Sequence, residues 1–139
     1  MDASLAPYHH HHQELLRLAR EHEARLAPIL VRNHPDQCLA GAQRLVASIK
    51  AHLSMENAVL YPALFGVTDA DIQGAARGLE AGLADLKSRL RAFSHHWASA
   101  ETIHLAPEAF INASHDLLQV LRQRIDVEET RLFPLVERA

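Results

Sequence analysis

The residues that could do chemistry in this sequence form two pairs, and the members of each pair are four positions apart. His52 precedes Glu56, and Arg124 precedes Glu128. Because this spacing is about one helical turn, each pair lies on one face of a helix. Both faces also carry apolar residues, so the pairs point inward, where ionised groups are costly unless they are paired or bound to a metal. The pairs therefore predict one shared polar centre, either a cation site or a buried ion-pair network.

Two further side chains are predicted at the same depth as these pairs. The chain reverses near Asn33, and Glu56 follows that turn by roughly the distance at which His12 precedes it, about 20 residues or 30 Å of helix. We therefore predict that the first helix contributes His12. The same reasoning on the second half of the chain selects Glu80, which we place on the inward face in line with Ala76.

The predicted centre combines imidazole and carboxylate donors with one guanidinium. Three carboxylates and one guanidinium leave two negative charges, which one divalent cation would neutralise, whereas two cations would need a bridging hydroxide or oxide. Imidazole with carboxylate favours iron, with manganese or zinc as alternatives, over calcium. The predicted metal ligands are His12, His52, Glu56, Glu80 and Glu128, with Arg124 and Tyr61 in direct support of them.

Helices are the elements that must position these groups. Leu, Ala, Arg and Glu dominate the composition and favour helix, and long strand-like runs are absent. Apolar periodicity predicts helices over about 6–31, 36–64 and 69–97, and a fourth from Pro107. Their similar lengths and short connections predict a single all-α domain over 1–139, folded as an antiparallel up-down-up-down four-helix bundle.

An internal repeat relates the two halves of the chain. The segment from His52 to Pro62 matches that from Arg124 to Pro134, so that Glu56 aligns with Glu128 and Tyr61 with Phe133. Each copy closes a helix pair, which suggests two hairpins about a pseudo-two-fold axis. The two prolines should kink or loosen the last turns of their helices rather than abolish them.

The repeated phrases resemble those of a known family. HLSMENAVLYPAL and RIDVEETRLFPLVE are similar to the H-x-x-x-E…P segments of hemerythrin-like (HHE cation-binding) domains, and YHHHHQELL resembles the opening of such domains, with His12 at the first ligand position. The resemblance implies a four-helix bundle with a non-haem di-iron site and reversible binding of O2 or a related small molecule. Arg124 stands where the family has a ligand histidine, and a guanidinium cannot ligate a metal, so the chain resembles a divergent branch.

Composition excludes several other classes of protein. The net charge is −3 without a basic stripe, which argues against nucleic acid as a partner. A lone cysteine, Cys38, excludes a disulfide framework and favours a cytoplasmic location. No apolar run of about 18 residues predicts a membrane span, and the first residues do not have the pattern of a signal peptide.

The run of four histidines from His9 to His12 has two interpretations. It is either a native helix start or the remainder of a purification tag, and we prefer the first because the run leads directly into an amphipathic pattern. We expect His9, His10 and His11 to be solvated there, and Glu129 to be a solvated charge.

Three functions are compatible with these residues. The first is a metal-binding or sensing protein for O2, nitric oxide or peroxide. The second is an enzyme that activates O2 or peroxide at an open coordination position, although the sequence shows no substrate-pocket signature. The third is a metal-free helical interaction module that could form a homodimer and whose buried His, Glu and Arg side chains satisfy one another.

Overall fold

The chain is mostly helical in the part that the computed structural model describes, which is the backbone of residues 2–139 and the side chains of residues 5–139. No strand occurs in that part, so the prediction of an all-α fold is confirmed. None of its helices is long and apolar enough to cross a membrane. The elements are α1 (Asp2–Ala24), α2 (Pro28–Asn33), α3 (Pro35–Met55), a first π-helical turn (Glu56–Leu60), α4 (Tyr61–Phe65), α5 (Ala70–Ala81), α6 (Leu83–His96), α7 (Ala100–Leu105), α8 (Pro107–Val127), a second π-helical turn (Glu128–Leu132) and α9 (Phe133–Arg138).

Three helices begin at a proline, α2 at Pro28, α3 at Pro35 and α8 at Pro107. Ala27, His34 and Ala106 each precede a proline, and all three lie outside the α region, with Ala27 at φ −68° and ψ 137°. The proline ring disfavours helical backbone at the residue before it, and proline itself suits the first turn of a helix. The first predicted helix is therefore interrupted before Pro28, a break that the apolar periodicity did not reveal.

The third predicted helix is also in two parts. Asp69 caps α5 by accepting hydrogen bonds from the backbone N–H groups of Asp71 and Ile72, which satisfies donors that a helix start leaves free. Gly82 then separates α5 from α6. The predicted loop over 98–106 contains the short α7, which Ser99 caps through the backbone N–H of Thr102.

The two copies of the internal repeat share a widened helical turn. Glu56 begins the first π-helical turn and Glu128 begins the second, and a proline follows each turn, at Pro62 and Pro134. A proline cannot donate to the carbonyl four residues earlier and its ring crowds that carbonyl, and a π-helical turn is one way to accommodate this within a continuing helix. The predicted loosening before each proline thus takes the form of a π turn.

The core lies between the long helices. α1 packs against α3 and α8, and α6 packs against the same two helices. The residues that face inward from them are mostly leucine, with aromatic side chains at the level of the π turns and at the opposite end. This core surrounds a small polar cluster on α1, α3 and the two π turns.

Candidate metal centre

Four buried polar side chains meet in the interior. His12, His52, Glu56 and Glu128 each offer one potential ligand atom, and these atoms all lie within 4.8 Å of one another. Each of the four residues is at most 4% exposed. Two imidazole nitrogens and two carboxylates that converge in this way are a donor set suited to a transition-metal cation.

The imidazoles and Glu128 form the closest contacts in the cluster. The Nε2 atom of His12 lies 2.8 Å from Oε1 of Glu128 and 3.1 Å from Nε2 of His52. The Nε2 atom of His52 is 3.6 Å from the same Glu128 oxygen and 3.5 Å from Oε2 of Glu56. Both histidines therefore direct Nε2 at Glu128, and His52 directs it at Glu56 as well.

Helical spacing explains how the chain presents these groups. His12 lies on the buried face of α1 with Tyr8, Leu15 and Ala19, at intervals of three or four residues. His52 lies one turn before Glu56, on the face of α3 that buries Ile49 and Leu53. Glu56 and Glu128 each begin a π-helical turn, so the pseudo-symmetric halves contribute equivalent carboxylates.

Tyr61 and Arg124 hydrogen-bond to the carboxylates of the cluster. The Tyr61 hydroxyl donates to Oε2 of Glu128 at 2.9 Å and accepts from Nη2 of Arg124 at 2.7 Å. Nη2 of Arg124 also donates to Oε1 of Glu56 at 3.4 Å, and Nη1 donates to the carbonyl of Leu79 at 2.9 Å. Arg124 thus hydrogen-bonds Glu56 directly and Glu128 through Tyr61, and its Nη2 also lies 3.9 Å from Oε2 of Glu128.

Burial and charge fix the protonation of these supporting groups. Burial raises the pKa of Tyr61 to about 12, although the nearby Arg124 guanidinium opposes that rise, so the hydroxyl remains a donor at neutral pH. Burial lowers the pKa of Arg124, but a guanidinium stays charged in proteins. Burial acts to raise the pKa of Glu128, but the contacts with the His12 and His52 imidazoles outweigh it and hold that pKa below its ordinary value.

An unpartnered acceptor indicates that the donor set fits a cation. Oε2 of Glu56 is buried and accepts no hydrogen bond from the described residues, although it lies 3.5 Å from Nε2 of His52 within the cluster. A buried acceptor without a partner costs about 1–3 kcal/mol, and a cation among the four atoms would remove that cost. The geometry and the chemistry of the residues are therefore consistent with a metal ion.

The structure does not bring Glu80 into this cluster. Glu80 is exposed on α5, whereas Leu79 is half-buried and its carbonyl faces Arg124. The residues that α5 and α6 turn inward are spaced alternately by four and three positions. Between Ala76 and Leu83 this spacing selects Leu79 rather than Glu80. The prediction chose a suitable level along the helix, but the residue that faces inward at that level is Leu79, one position before Glu80.

The remaining histidines occupy different environments. His22, which lies nearer the turn than the cluster, is buried at 1% exposure and its Nε2 lies 3.0 Å from the Ser114 hydroxyl. Burial lowers its pKa to about 4. His115 is exposed, as its helical phase predicts.

A second set of polar contacts, which the sequence did not reveal, adjoins the cluster. His9 is half-exposed, and its Nδ1 lies 2.7 Å from Glu129 while its Nε2 lies 2.6 Å from Glu137. We expected His9 and Glu129 to be solvated, and instead they pair across α1 and the second π-helical turn. The signal in the sequence was the position of Glu129 next to Glu128, but only the relative placement of the helices shows what it contacts.

Comparison with known proteins identifies one family. The model of the hemerythrin HHE cation binding domain matches residues 4–136. No curated protein and no solved structure matched the chain. The matched range covers nearly the whole chain and includes all four residues of the cluster.

Proposed function

The chain belongs to the hemerythrin HHE cation-binding family, and from that premise we propose that it binds a non-haem iron ion at His12, His52, Glu56 and Glu128. The observation that carries this proposal is the convergence of their four ligand atoms within 4.8 Å in the interior. Their burial would shield a bound ion from bulk water and from competing solvent ligands.

The charge of the cluster favours one ion rather than two. Glu56 and Glu128 contribute two negative charges, and Arg124 contributes one positive charge beside them. One divalent cation nearly balances the resulting single negative charge, whereas two cations would leave a large positive excess in a low-dielectric interior. Arg124 also stands at the position that matches His52 in the internal repeat, so the second half of the chain has a fixed positive charge where the first half has a potential metal ligand.

The donor types support iron as the metal. Two imidazoles with two carboxylates suit iron, manganese and zinc and are a poor match for calcium, which prefers oxygen ligands. A bound iron ion would supply a coordination position for O2, nitric oxide or peroxide. We therefore propose binding or sensing of such a small molecule as the physiological role, in the cytoplasm, where the lone cysteine would remain reduced.

The proposed scaffold is an antiparallel up-down-up-down four-helix bundle. In this arrangement α1, α3, α5 with α6, and α8 are the four rods, and α2 and α7 cover one end. The packing of α1 and of α6 against both α3 and α8 supports it. Metal sites in such bundles are built from inward side chains on facing helices.

A metal-free regulatory module is the second candidate, because Arg124 already compensates part of the carboxylate charge. Its contacts with Glu56 and Tyr61 would form a buried network that needs no cation. Under this alternative the cluster would serve to specify the packing of the helices, and iron would not bind.

Metal analysis of matched variants separates the two candidates. Protein purified without immobilised nickel is loaded anaerobically with Fe(II), desalted and assayed for metal by mass spectrometry. We expect about one iron per chain in the wild type, almost none in Glu56→Gln, and the wild-type amount in Glu80→Gln, which removes the same charge from an exposed position. Iron far below one per chain in the wild type would contradict the proposal and support the metal-free network.

A further inference from the structure

The outer nitrogen of His12 faces a second carboxylate. Nδ1 of His12 lies 3.5 Å from Oε2 of Glu129. Both atoms are buried. Nδ1 of His12 has no hydrogen-bond partner among the residues that the structure describes, and the hydrogen bond between His9 and Glu129 goes to Oε1, which leaves Oε2 without one. Since buried polar atoms are rarely left without a partner, these two atoms are the natural partners of each other.

The position of this carboxylate determines which tautomer of His12 is favoured. A neutral imidazole carries its proton on one ring nitrogen only, and the other nitrogen then has the free lone pair. His12 directs Nε2 into the cluster, so it can bind a cation only when the proton is on Nδ1. An acceptor opposite Nδ1 stabilises that tautomer and the orientation of the ring.

Glu129 is itself held in place from the protein surface. Nδ1 of His9 lies 2.7 Å from both carboxylate oxygens of Glu129, with the hydrogen bond to Oε1, and the other ring nitrogen of His9 lies 2.6 Å from Glu137. The Phe133 ring stacks on His12, with centroids 5.4 Å apart and planes at 6°, and meets His9 edge-on at 5.0 Å. These contacts restrict the movement of both imidazoles.

The other half of the internal repeat lacks this arrangement. Glu129 aligns with Asn57, which is exposed, and Nδ1 of His52 has no hydrogen-bond partner within the described part of the chain. The contact between His12 and Glu129 therefore has no counterpart at His52 and does not follow from the symmetry of the fold.

We propose that Glu129 is a positioning residue that holds His12 in the metal-binding tautomer, and that His9 fixes Glu129 in turn. This inference rests on the proposed metal site and assigns His9, within the histidine run, a role that a purification tag would not have. Glu129 does not itself join the cluster of ligand atoms, so its effect on a cation would pass through His12.

Cobalt binding measures the effect directly. Titration of wild-type apoprotein with Co(II) gives the affinity from the visible absorption bands, and proton NMR of the loaded protein shows exchangeable, paramagnetically shifted ring N–H signals. We expect Glu129→Leu to weaken Co(II) binding by about 10–100-fold and to remove or broaden one such signal in water. Glu129→Gln keeps the size and an acceptor oxygen, and should show a smaller loss.

Asp126→Asn is the matched control, because it removes one negative charge from an exposed position on α8 two residues before Glu128. It should leave both the Co(II) affinity and the N–H signals unchanged. If Glu129→Leu does not fold, Glu129→Gln and His9→Gln, which releases Glu129 from the surface side, decide the question through the same signal.

Two results overturn the inference in distinguishable ways. Wild-type protein that binds Co(II), together with Glu129 variants that bind it within about twofold of the wild type and retain all N–H signals, contradicts the role of Glu129 alone. Wild-type protein that binds no Co(II) contradicts the metal site and, with it, the positioning role.

Discussion

The Nε2 atoms of His12 and His52 lie 3.1 Å apart, although the two residues are on different helices. Only one proton can lie between the two nitrogens, and the two carboxylates that complete the cluster are within 4.8 Å of both. The folded chain has thus brought imidazole and carboxylate donor atoms together around one point, where a cation could bind all of them at once. Binding of a metal should therefore stabilise the native state.

Thermal unfolding should reveal this linkage. A ligand that binds only the native state adds about 2.7 kcal/mol at a free concentration 100 times its dissociation constant, which for a chain of this length corresponds to a rise in Tm of roughly 10 °C. We expect Fe(II) or Zn(II) to produce such a rise in the wild type and none in His52→Ala. His115→Ala, which truncates an exposed histidine, should respond as the wild type does, and an equal metal response in His52→Ala would contradict the assignment.

Replacement of Arg124 should separate stability from metal affinity. Arg124→Leu leaves Glu56 without its cationic neighbour and the Leu79 carbonyl without its donor, so we expect the apoprotein to lose about 3 kcal/mol of unfolding free energy. The same change removes a positive charge beside the cation site, so metal affinity should rise by about tenfold or more. Urea unfolding of the apoprotein and metal titration measure the two effects.

The neighbouring surface pair provides the control for Arg124. Arg122 bonds Glu23 at 2.9 Å on the exposed side of the same helix, and such pairs contribute at most about 1 kcal/mol. Arg122→Leu should therefore change stability little and metal affinity not at all. Equal losses of stability in the two variants, or an unchanged affinity in Arg124→Leu, would contradict the role of Arg124 as the charge that balances the cluster.

Removal of the Tyr61 hydroxyl tests the hydrogen bonds that connect Arg124 to Glu128. Tyr61→Phe keeps the buried ring but deletes the donor to Glu128 and the acceptor for Arg124, which leaves two buried charged groups short of a partner. We expect a loss of about 1–3 kcal/mol in the apoprotein, measured by urea unfolding. Tyr8→Phe is the control, because the Tyr8 hydroxyl makes no side-chain hydrogen bond within the described residues, and a comparable loss there would count against this explanation.

The sequence was sufficient for the parts of the fold and of the cluster that depend on local spacing. The four-residue intervals from His52 to Glu56 and from Arg124 to Glu128 place each pair on one face of a helix, and equal distance from the first turn places His12 at the same depth. Pro107 predicted the start of α8, and α3 begins at Pro35, one residue before the predicted position 36. These inferences need only the rise and periodicity of a helix.

The parts that the sequence did not reveal depend on small rotations and on contacts between helices. Glu80 and Leu79 differ by about 100° around a helix, and the choice between them requires the phase of the whole stripe rather than one neighbour. The π-helical turns at Glu56 and Glu128 shift everything that follows them by a fraction of a turn. The contact between His9 and Glu129 joins residues 120 positions apart, so no local pattern indicates it.

The buried His22 makes stability depend on pH in a way that is independent of the metal centre. Burial lowers its pKa to about 4 in the native state, from 6.5 for the free side chain. Between these two values the unfolded chain binds a proton that the native state excludes, so stability falls as the pH falls from about 6.5 to about 4. The difference corresponds to about 3 kcal/mol over that range, and above pH 7 the contribution is fully present.

Comparison of pH slopes isolates this contribution, because it removes any constant effect of the substitution. Replacement of His22 by Leu also deletes the contact with Ser114 at 3.0 Å, which lowers stability equally at every pH, whereas the difference between pH 7.5 and pH 4.5 reflects proton binding alone. We expect apoprotein carrying His22→Leu to lose clearly less stability than the wild type over this interval in urea unfolding, and His95→Leu, at an exposed position away from His22, to follow the wild-type slope. If His22→Leu and the wild type have parallel pH profiles, His22 is protonated in the native state at the same pH as in the unfolded chain, and its burial does not have the effect inferred from the structure.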